Sequence, residues 1–467
     1  MNEGCHIDVR PRVPAPLDSA FRPAALVARA HADLVRAEGG GSPLRIALER
    51  GSGFVSVWET RVLPPDHPAF GLSLRLAERA VKFLLWQRGG WKVTVGAFAE
   101  VGSHIGSIYA PGGPRAFDAR FMGNVFEAPF TIVVVDPDNV PEPRESAAAI
   151  GRHLDGCRVG FDLGASDRKA SAVIDGDAVF SEEVPWDPRN QSDPTYHYNG
   201  VMDSIRRAAS HLPRLDAVGG SAAGIYIDNR ARVASLFRGV PQEAFALHIA
   251  DLFLRIGHEL GVPIEVANDG DVTALAGSMS LGENPVLGLA FGSSLAAGYV
   301  DAQGRITGWL NELAFAPIDD RTDAPVDEWS GDAGCGVQYL SQVGAVRVAE
   351  GAGIDLGAGR PLPEKLEALQ ARMAAGEERV RQVYETLGVY LGYAVAHYAS
   401  FYELRHILAL GRVTTGRGGD VMMEVANRVL AADFPEVAEK VRLALPDEKS
   451  RRVGQSIAAA SLPALAR

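Results

Sequence analysis

Four short stretches of this chain combine glycine, hydroxyl and carboxylate residues at spacings suited to phosphate chemistry. In Asp162-Leu163-Gly164-Ala165-Ser166 an acid and a glycine stand at the corner between two apolar runs, Val159–Phe161 and Ala170–Ile174. Glycine lets backbone N–H groups approach a phosphate with no Cβ in the way. An acid beside such a turn can hold Mg²⁺ through water, because magnesium keeps much of its own hydration. The same residues also make an ordinary tight turn. Gly292-Ser293-Ser294 occupies a second hairpin corner, between Leu287–Phe291 and Ala296–Val300; read alone, it is as much a packed turn as a phosphate loop. Asn268-Asp269-Gly270-Asp271 follows an apolar run, Ile264–Ala267, and precedes a helical pattern over Val272–Leu281. Carboxylates there can cap the helix, the role expected of Asp271. They can equally face a ligand at the carboxyl end of a sheet. Last, Gly411–Gly419 follows the strand Ile407–Leu410 and reads either as a flexible loop or as backbone for a nucleoside to lie against.

The elements that must position these residues are legible in outline. Residues 1–18 contain prolines, lack periodicity and read as a loose arm. Helical patterns cover 21–37 and Ser73–Trp86, and strands are expected at Leu44–Glu49, Phe54–Leu63, Trp91–Val95 and Phe130–Val135. The proline-rich stretch from Asp136 reads as a linker. It bounds an α+β accessory domain, residues 1–150. Beyond it come a helix at Val201–His211, a strand at Ala217–Gly219, a long amphipathic helix at Glu243–Leu260 and a helix at Val380–Tyr402. Gly112–Phe130 is dense in aromatics, with Arg115 and Asp118 expected as an internal ion pair. Val184–Gly200, with Trp186, Tyr196, His197 and Tyr198, reads either as an aromatic cover for a sugar face or as a solvated loop.

Composition narrows the function classes. The chain has 467 residues, 47% of them hydrophobic and 22% charged, and a formal charge of −12. Its length implies two or three domains. No basic cluster is present to displace phosphate counterions, which argues against a nucleic-acid partner. No apolar run reaches membrane-span length, and no membrane partner is expected. The N-terminus lacks the charged-then-apolar pattern of a secretory signal. Three scattered cysteines fit a reducing compartment, so a cytoplasmic location is expected.

Taken in order, the motifs "GFDLGASDRKASAVIDG", "VGGSAAGIYID", "VPIEVANDGDVTALAG", "LGLAFGSSLAAGY", "GWLNELAF" and "ILALGRVTTG" resemble the ROK family of sugar kinases, within the actin/hexokinase/Hsp70-like ATPase superfamily. The resemblance spans about residues 157–467. It implies an α/β fold of two ribonuclease-H-like lobes, here preceded by the α+β accessory domain. Lobe I would cover 155–283, with a contribution from a C-terminal helix at 452–467, and lobe II 284–451. The activity implied is ATP-dependent phosphorylation of a sugar or sugar derivative, a transferase reaction of carbohydrate metabolism. On the family pattern Asp269 is the general base, and Asn268, Glu312, Ser221 and Gly224 lie on the acceptor side. Asp162, Gly164 and Ser166 form the first phosphate loop, and Gly292, Ser293 and Ser294 the second. Gly411 approaches the adenosine. ATP and Mg²⁺ are implied, with Asp162 reaching the metal through water, and a homodimer is compatible with the family.

The departures bear on specificity. The family's histidine after the Glu312 position is replaced by Phe315, and a glutamate position downstream is Val337. Of the cysteine-rich zinc segment only Cys335 is left, short of the four ligands a closed zinc site needs, so no structural zinc is expected. A non-catalytic, sugar-responsive regulator of the same fold is the competing expectation, and a nucleotide-binding scaffold a third.

Overall fold

The computed structural model describes residues 7–145, 150–445 and 448–465, with side chains of 448–453 excepted. Three larger sheets organise the chain. The first contains β1 (Ser42–Glu49), β2 (Val55–Val62), β3 (Lys92–Gly96) and β4 (Thr131–Val135) in the order β2-β1-β3-β4. Helices α1 (Ala24–Ala37), α2 (Phe70–Arg88), α3 (Ala99–Tyr109) and α4 (Ala116–Phe126) accompany it. Helices α3 and α4 take up sequence whose glycines and prolines mask their period.

The second sheet is the core of lobe I. Strands β5 (Cys157–Leu163), β6 (Asp167–Ile174) and β7 (Asp177–Pro185) form an antiparallel meander. β5 continues in parallel to β8 (Ala217–Ala222), and β8 to β11 (Ile264–Asn268). Helix α5 (Pro194–Ala209) starts earlier than its apolar period suggests, because Pro194 takes the first helical position and Asp193 caps it, accepting from Thr195 N–H at 2.8 Å. Tyr196, His197 and Tyr198 therefore lie on a helix. A small hairpin, β9 (Ile225–Ile227) and β10 (Arg230–Val233), follows β8.

The expected helix at Glu243–Leu260 is interrupted. A single turn, α6 (Gln242–Ala244), passes into a π-helical turn at Phe245–Ile249 before α7 (Leu252–Leu260). Ala250 C=O accepts from Ala231 N–H of β10 at 3.0 Å. That carbonyl serves the hairpin and is lost to the start of α7, while the π turn before it is closed by Ala250 N–H donating to Phe245 C=O at 2.9 Å. α8 (Asp269–Leu281) then follows β11 directly.

Lobe II is built on β12 (Val286–Phe291), β13 (Leu295–Val300), β14 (His406–Leu410) and β15 (Arg442–Ala444), in the order β13-β12-β14-β15. Its helices are α9 (Gln342–Gly351), α10 (Leu362–Ala374), α11 (Glu378–Tyr398), α12 (Gly416–Asp433) and the short α13 (Pro435–Ala438). The last helix, α14 (Glu448–Ala460), returns to lobe I and reaches the carboxyl end of β5, where Gln455 Nε2 contacts Asp162 and Ser221. Among the described residues no helix is long and apolar enough to cross a membrane.

The N-terminal sheet stops before residue 150, yet its core does not. One continuous buried cluster joins Leu44, Ile46, Phe83 and Trp86 to Leu289, Phe291, Tyr390 and Leu391 of lobe II. The described part of the expected loose arm is also engaged. Leu17 N–H donates to Thr386 Oγ1 at 3.1 Å, Tyr390 O–H to Asp18 at 2.6 Å, and Phe21 packs edge-on to Tyr390. Its apolar residues lie against α11, so proline content alone misled. Residues 1–6 fall outside the described set.

Candidate functional site

Asp162 lies near the end of β5, opposite Lys169 in the β6 register. It is 9% exposed. Its Oδ1 accepts from Ser221 O–H at 2.7 Å. Burial pushes its proton affinity up to about pKa 6; the Ser221 bond and Lys169 oppose this, and Asp269 reinforces it. Ser221 is itself fully buried. The expectation that it touches a sugar is thus corrected: it sits beneath Asp162 and holds it. The turn at Gly164–Ser166 is open, with Ala165 and Ser166 exposed.

Trp186 closes the back of that turn. Its Nε1–H donates to Gly164 C=O at 2.8 Å, and its backbone N–H to Ser166 C=O at 3.1 Å. At 8% exposure it does not cover a sugar, which corrects one of the two readings of Val184–Gly200. The other is corrected as well, since His197 is fully buried against the Phe237 and Trp186 rings.

Asp269 is the first residue of α8, at the carboxyl end of β11. The cap is Asn268, not Asp271: Asn268 Oδ1 accepts from Gly270 N–H, and its Nδ2 donates to Gly224 C=O, both at 2.8 Å. Asn268 and Gly224 therefore brace each other, so the Asn268 amide expected to meet the acceptor already has its oxygen and nitrogen engaged within the protein. Asp271 is instead buried, accepting from Tyr299 N–H at 3.0 Å and Asn311 Nδ2 at 2.9 Å. This end of α8 lies hard against β13. A Cβ on Gly298 would stand 2.1 Å from Gly270 C=O, so the small residues of "AAGY" are a condition for bringing Asp269 to the junction of the lobes.

Glu312 joins the same cluster. Burial, with the charges of Asp269 and Asp271, pushes its pKa up to about 7. Burial likewise raises Asp269, against its bonds to backbone N–H. No described side chain pairs with the Glu312 carboxylate, and among the described residues Asp269 is bonded by backbone N–H alone, of Gly270 at 3.0 Å and of its own residue. Two half-buried carboxylates thus lack side-chain partners, an arrangement that can accept hydroxyl protons and hydrogen bonds.

The N-terminal unit holds this part of the site. Asn311 N–H donates to Gln87 C=O and Glu312 N–H to Trp86 C=O, both at 2.8 Å. Asn311 has φ 51°, a left-handed conformation that asparagine tolerates better than most side chains. Its Oδ1 accepts from Tyr402 O–H at 2.9 Å. Phe315, at the position expected for a histidine, packs on Trp86 with ring centroids 4.3 Å apart. Across the cleft, Glu127 at the end of α4 pairs with Arg232 of β10. One unit therefore contacts both lobes.

The second hairpin corner is exposed at Ser293 and Ser294. Gly292 C=O accepts from Gln342 N–H at 2.8 Å. Gly411 ends β14 with φ 96°, and a Cβ there would lie 2.5 Å from Phe291 C=O. The structure thus packs Gly411 against the end of the strand that leads into the second hairpin, at a distance only glycine permits. For Mg²⁺ the donor set is a single carboxylate, Asp162, with one oxygen engaged by Ser221. That suits an ion held mainly by water and phosphate oxygens. Among the described residues no cluster of three His, Cys, Asp or Glu side chains could hold a metal by itself.

Around Cys335 the links are ionic. Lys82 Nζ, fully buried, donates to both Asp118 oxygens at 2.9 Å and lies 3.4 Å from Asp332. Arg115 pairs with Asp332 and with Glu78. Burial opposes it, but Arg115, Lys82 and Arg79 hold Asp332 well below the usual carboxylate range. Burial pushes the Cys335 thiol up to about 12. Arg115 and Asp118 are 3.8 Å apart, so the expected pair is one edge of this larger network. A separate cavity of about 1980 Å³ lies between α1, α2 and the end of α11, and none of the candidate residues lines it.

Neither a protein-family model nor a curated protein sequence matches the chain. Solved structures do. A ROK hexokinase from Thermus thermophilus superposes with a TM-score of 0.51 at 19% identity, covering 65% of this chain and 97% of that one. A ROK family transcriptional regulator, a homologue of the E. coli MLC protein, gives 0.50 at 18%, covering 66% and 79%. A ROK glucokinase from Streptomyces griseus, solved with glucose and AMPPNP, gives 0.47 at 21%, covering 65% and 99%. About a third of this chain has no counterpart in them. The remainder shares its two-lobed α/β fold with these ROK structures, at low sequence identity.

Proposed function

We propose that the protein transfers the γ-phosphoryl group of ATP to a hydroxyl of a sugar or sugar derivative. The observation that carries this reading is Asp269: a half-buried carboxylate without a side-chain partner, at a strand end, on a helix packed against the second hairpin and close enough to Asp162 of the first to raise its pKa. Asp269 takes the hydroxyl proton as the acceptor oxygen bonds to the γ-phosphorus and the bond to ADP breaks. Burial strengthens it as a base. Glu312 orients the acceptor. The backbone of Gly164–Ser166 and Gly292–Ser294 directs N–H groups at the phosphates, and Gly411 lets the nucleoside approach. Mg²⁺, when bound, would neutralise phosphate charge, with Asp162 holding it through water. Closure of the lobes excludes water, which would otherwise compete as acceptor.

Phe315 sets the specificity away from plain glucose. An apolar ring beside Glu312 leaves a hydroxyl unpaired where a histidine would bond it. The same substitution favours a second reading, a regulator that binds sugar without turning it over. Coupled ATP consumption across a sugar panel separates the two. Asp269→Asn should lower turnover by ~10²–10⁴-fold with Mg-ATP binding intact. Retention of most activity would remove Asp269 from its role, and no consumption with any sugar would favour the regulator.

A further inference from the structure

The acceptor side of the site continues into five aromatic rings. Trp86, Phe117 and Phe121 come from the N-terminal unit, and Phe315 and Trp329 from lobe II. Trp86 is the hub, with ring centroids 4.3 Å from Phe315 and 4.9 Å from Phe121. Trp329 stacks on Phe315 at 5.7 Å and 18°, and lies 6.3 Å from Phe117 and 6.5 Å from Phe121. These rings fix its position. Even so, Trp329 is 61% exposed. A tryptophan clamped on one side and bare on the other is a ready-made stacking surface, since its wide apolar face gains much by leaving water.

Backbone links tie this platform to the acceptor site. Glu312 N–H donates to Trp86 C=O, and Phe315 stands three residues beyond Glu312. The residue that carries the hub ring is thus bonded directly to the backbone of Glu312, and the turn that begins at Glu312 carries Phe315, whose N–H donates to Glu312 C=O at 3.1 Å. A sugar held at Glu312 would have its neighbouring group directed toward an apolar surface with no carboxylate among its five side chains.

We propose that the platform is a subsite for a second ring of the acceptor, with Trp329 as its stacking face. The substrate class is then a glycoside, a sugar joined to another ring, rather than a free monosaccharide. Pyranose and aryl rings both present an apolar face of suitable size. The proposal rests on the reading of Asp269 and Glu312 as the acceptor site.

The test measures binding to the full-length protein by calorimetry, with methyl and phenyl glycosides of glucose, mannose and N-acetylglucosamine. At least one phenyl glycoside should bind about tenfold more tightly than its methyl counterpart, the size of effect one aromatic stacking contact supplies. Trp329→Ala should erase that difference while leaving methyl glycoside affinity within about twofold. Equal affinities throughout, no binding of any of them, or a preference that survives Trp329→Ala would overturn the subsite. Phosphate transfer separates the two levels. A phenyl preference without turnover of any glycoside removes the kinase reading and keeps the subsite. Turnover of methyl and phenyl glycosides with equal affinity and efficiency keeps the kinase and removes the subsite.

Discussion

Asp271→Asn isolates the electrostatic cost of gathering three carboxylates at one helix terminus. Asp271 is 5% exposed, and burial, with a contribution from Asp269, pushes its pKa up to about 7 from the ordinary 3.8. Its bonds from Tyr299 N–H and Asn311 Nδ2 limit the rise. A folded-state value above the unfolded one means that the folded protein binds more protons between those limits. Stability from this group is therefore present at low pH, falls as pH rises from about 4 to about 7, and levels off above. Over the window from pH 5 to pH 8.5 the loss is about 3 kcal/mol, taking 1.36 kcal/mol for each pKa unit between 5 and 7. An asparagine oxygen can still accept both bonds, and it carries no charge. The variant's stability relative to the wild type should thus rise by about 3 kcal/mol between pH 5 and pH 8.5. Urea denaturation followed by tryptophan fluorescence at the two pH values measures this. A wild-type-to-variant difference that does not change with pH would refute the reasoning, since Asp271 would then be ionised at no cost throughout.

Two other substitutions probe the scaffold and the nucleotide end. Asp118→Ala leaves Lys82 buried without its bidentate partner, and should cost about 3–5 kcal/mol; an unchanged urea midpoint would mean the pair contributes nothing. Gly164→Val places a Cβ about 2.9 Å from Asp167 C=O and adds bulk at the open turn. It should weaken Mg-ATP binding at least tenfold in calorimetry in a protein that stays folded, with a lowered melting temperature from the clash, and undiminished affinity would make "DLGAS" an ordinary turn.

What the sequence made legible is what short-range chemistry encodes. A strand ending in Asn268-Asp269 before a helix, and a glycine corner between apolar runs, are written within ten residues, and the structure puts both at the lobe junction. Contacts made over long separations left no such mark. Ser221 could be read as a sugar contact because nothing local reveals that Asp162, in a neighbouring strand, takes its hydroxyl. Trp186 read as a surface aromatic because its bond to Gly164 depends on the β5–β6–β7 meander folding back. Asp271 resembled a cap until Asn268, one residue before the helix, took that position. The helix at Glu243–Leu260 kept its amphipathic period on paper while one carbonyl, at Ala250, was drawn off by β10. Asn311 carried the one signal that was available and unused: a small amide beside Glu312, suited to the left-handed backbone it adopts.

The largest gap between sequence and structure is the N-terminal unit, and it changes how the site should be understood. Its sheet is separate, which made an independent accessory domain the natural expectation. Its core, however, is continuous with lobe II, so removing it would expose Leu289, Phe291 and Tyr390, which pack in one cluster with Phe83 and Trp86. Trp86 and Gln87 supply the carbonyls that hold Glu312 and Asn311, while Glu127 reaches lobe I through Arg232. The Lys82–Asp118–Arg115–Asp332 network ties the same unit to the segment around Cys335. Substitutions in α2, far from Asp269 in sequence, can therefore act on Glu312 through the backbone bond from Glu312 N–H to Trp86 C=O.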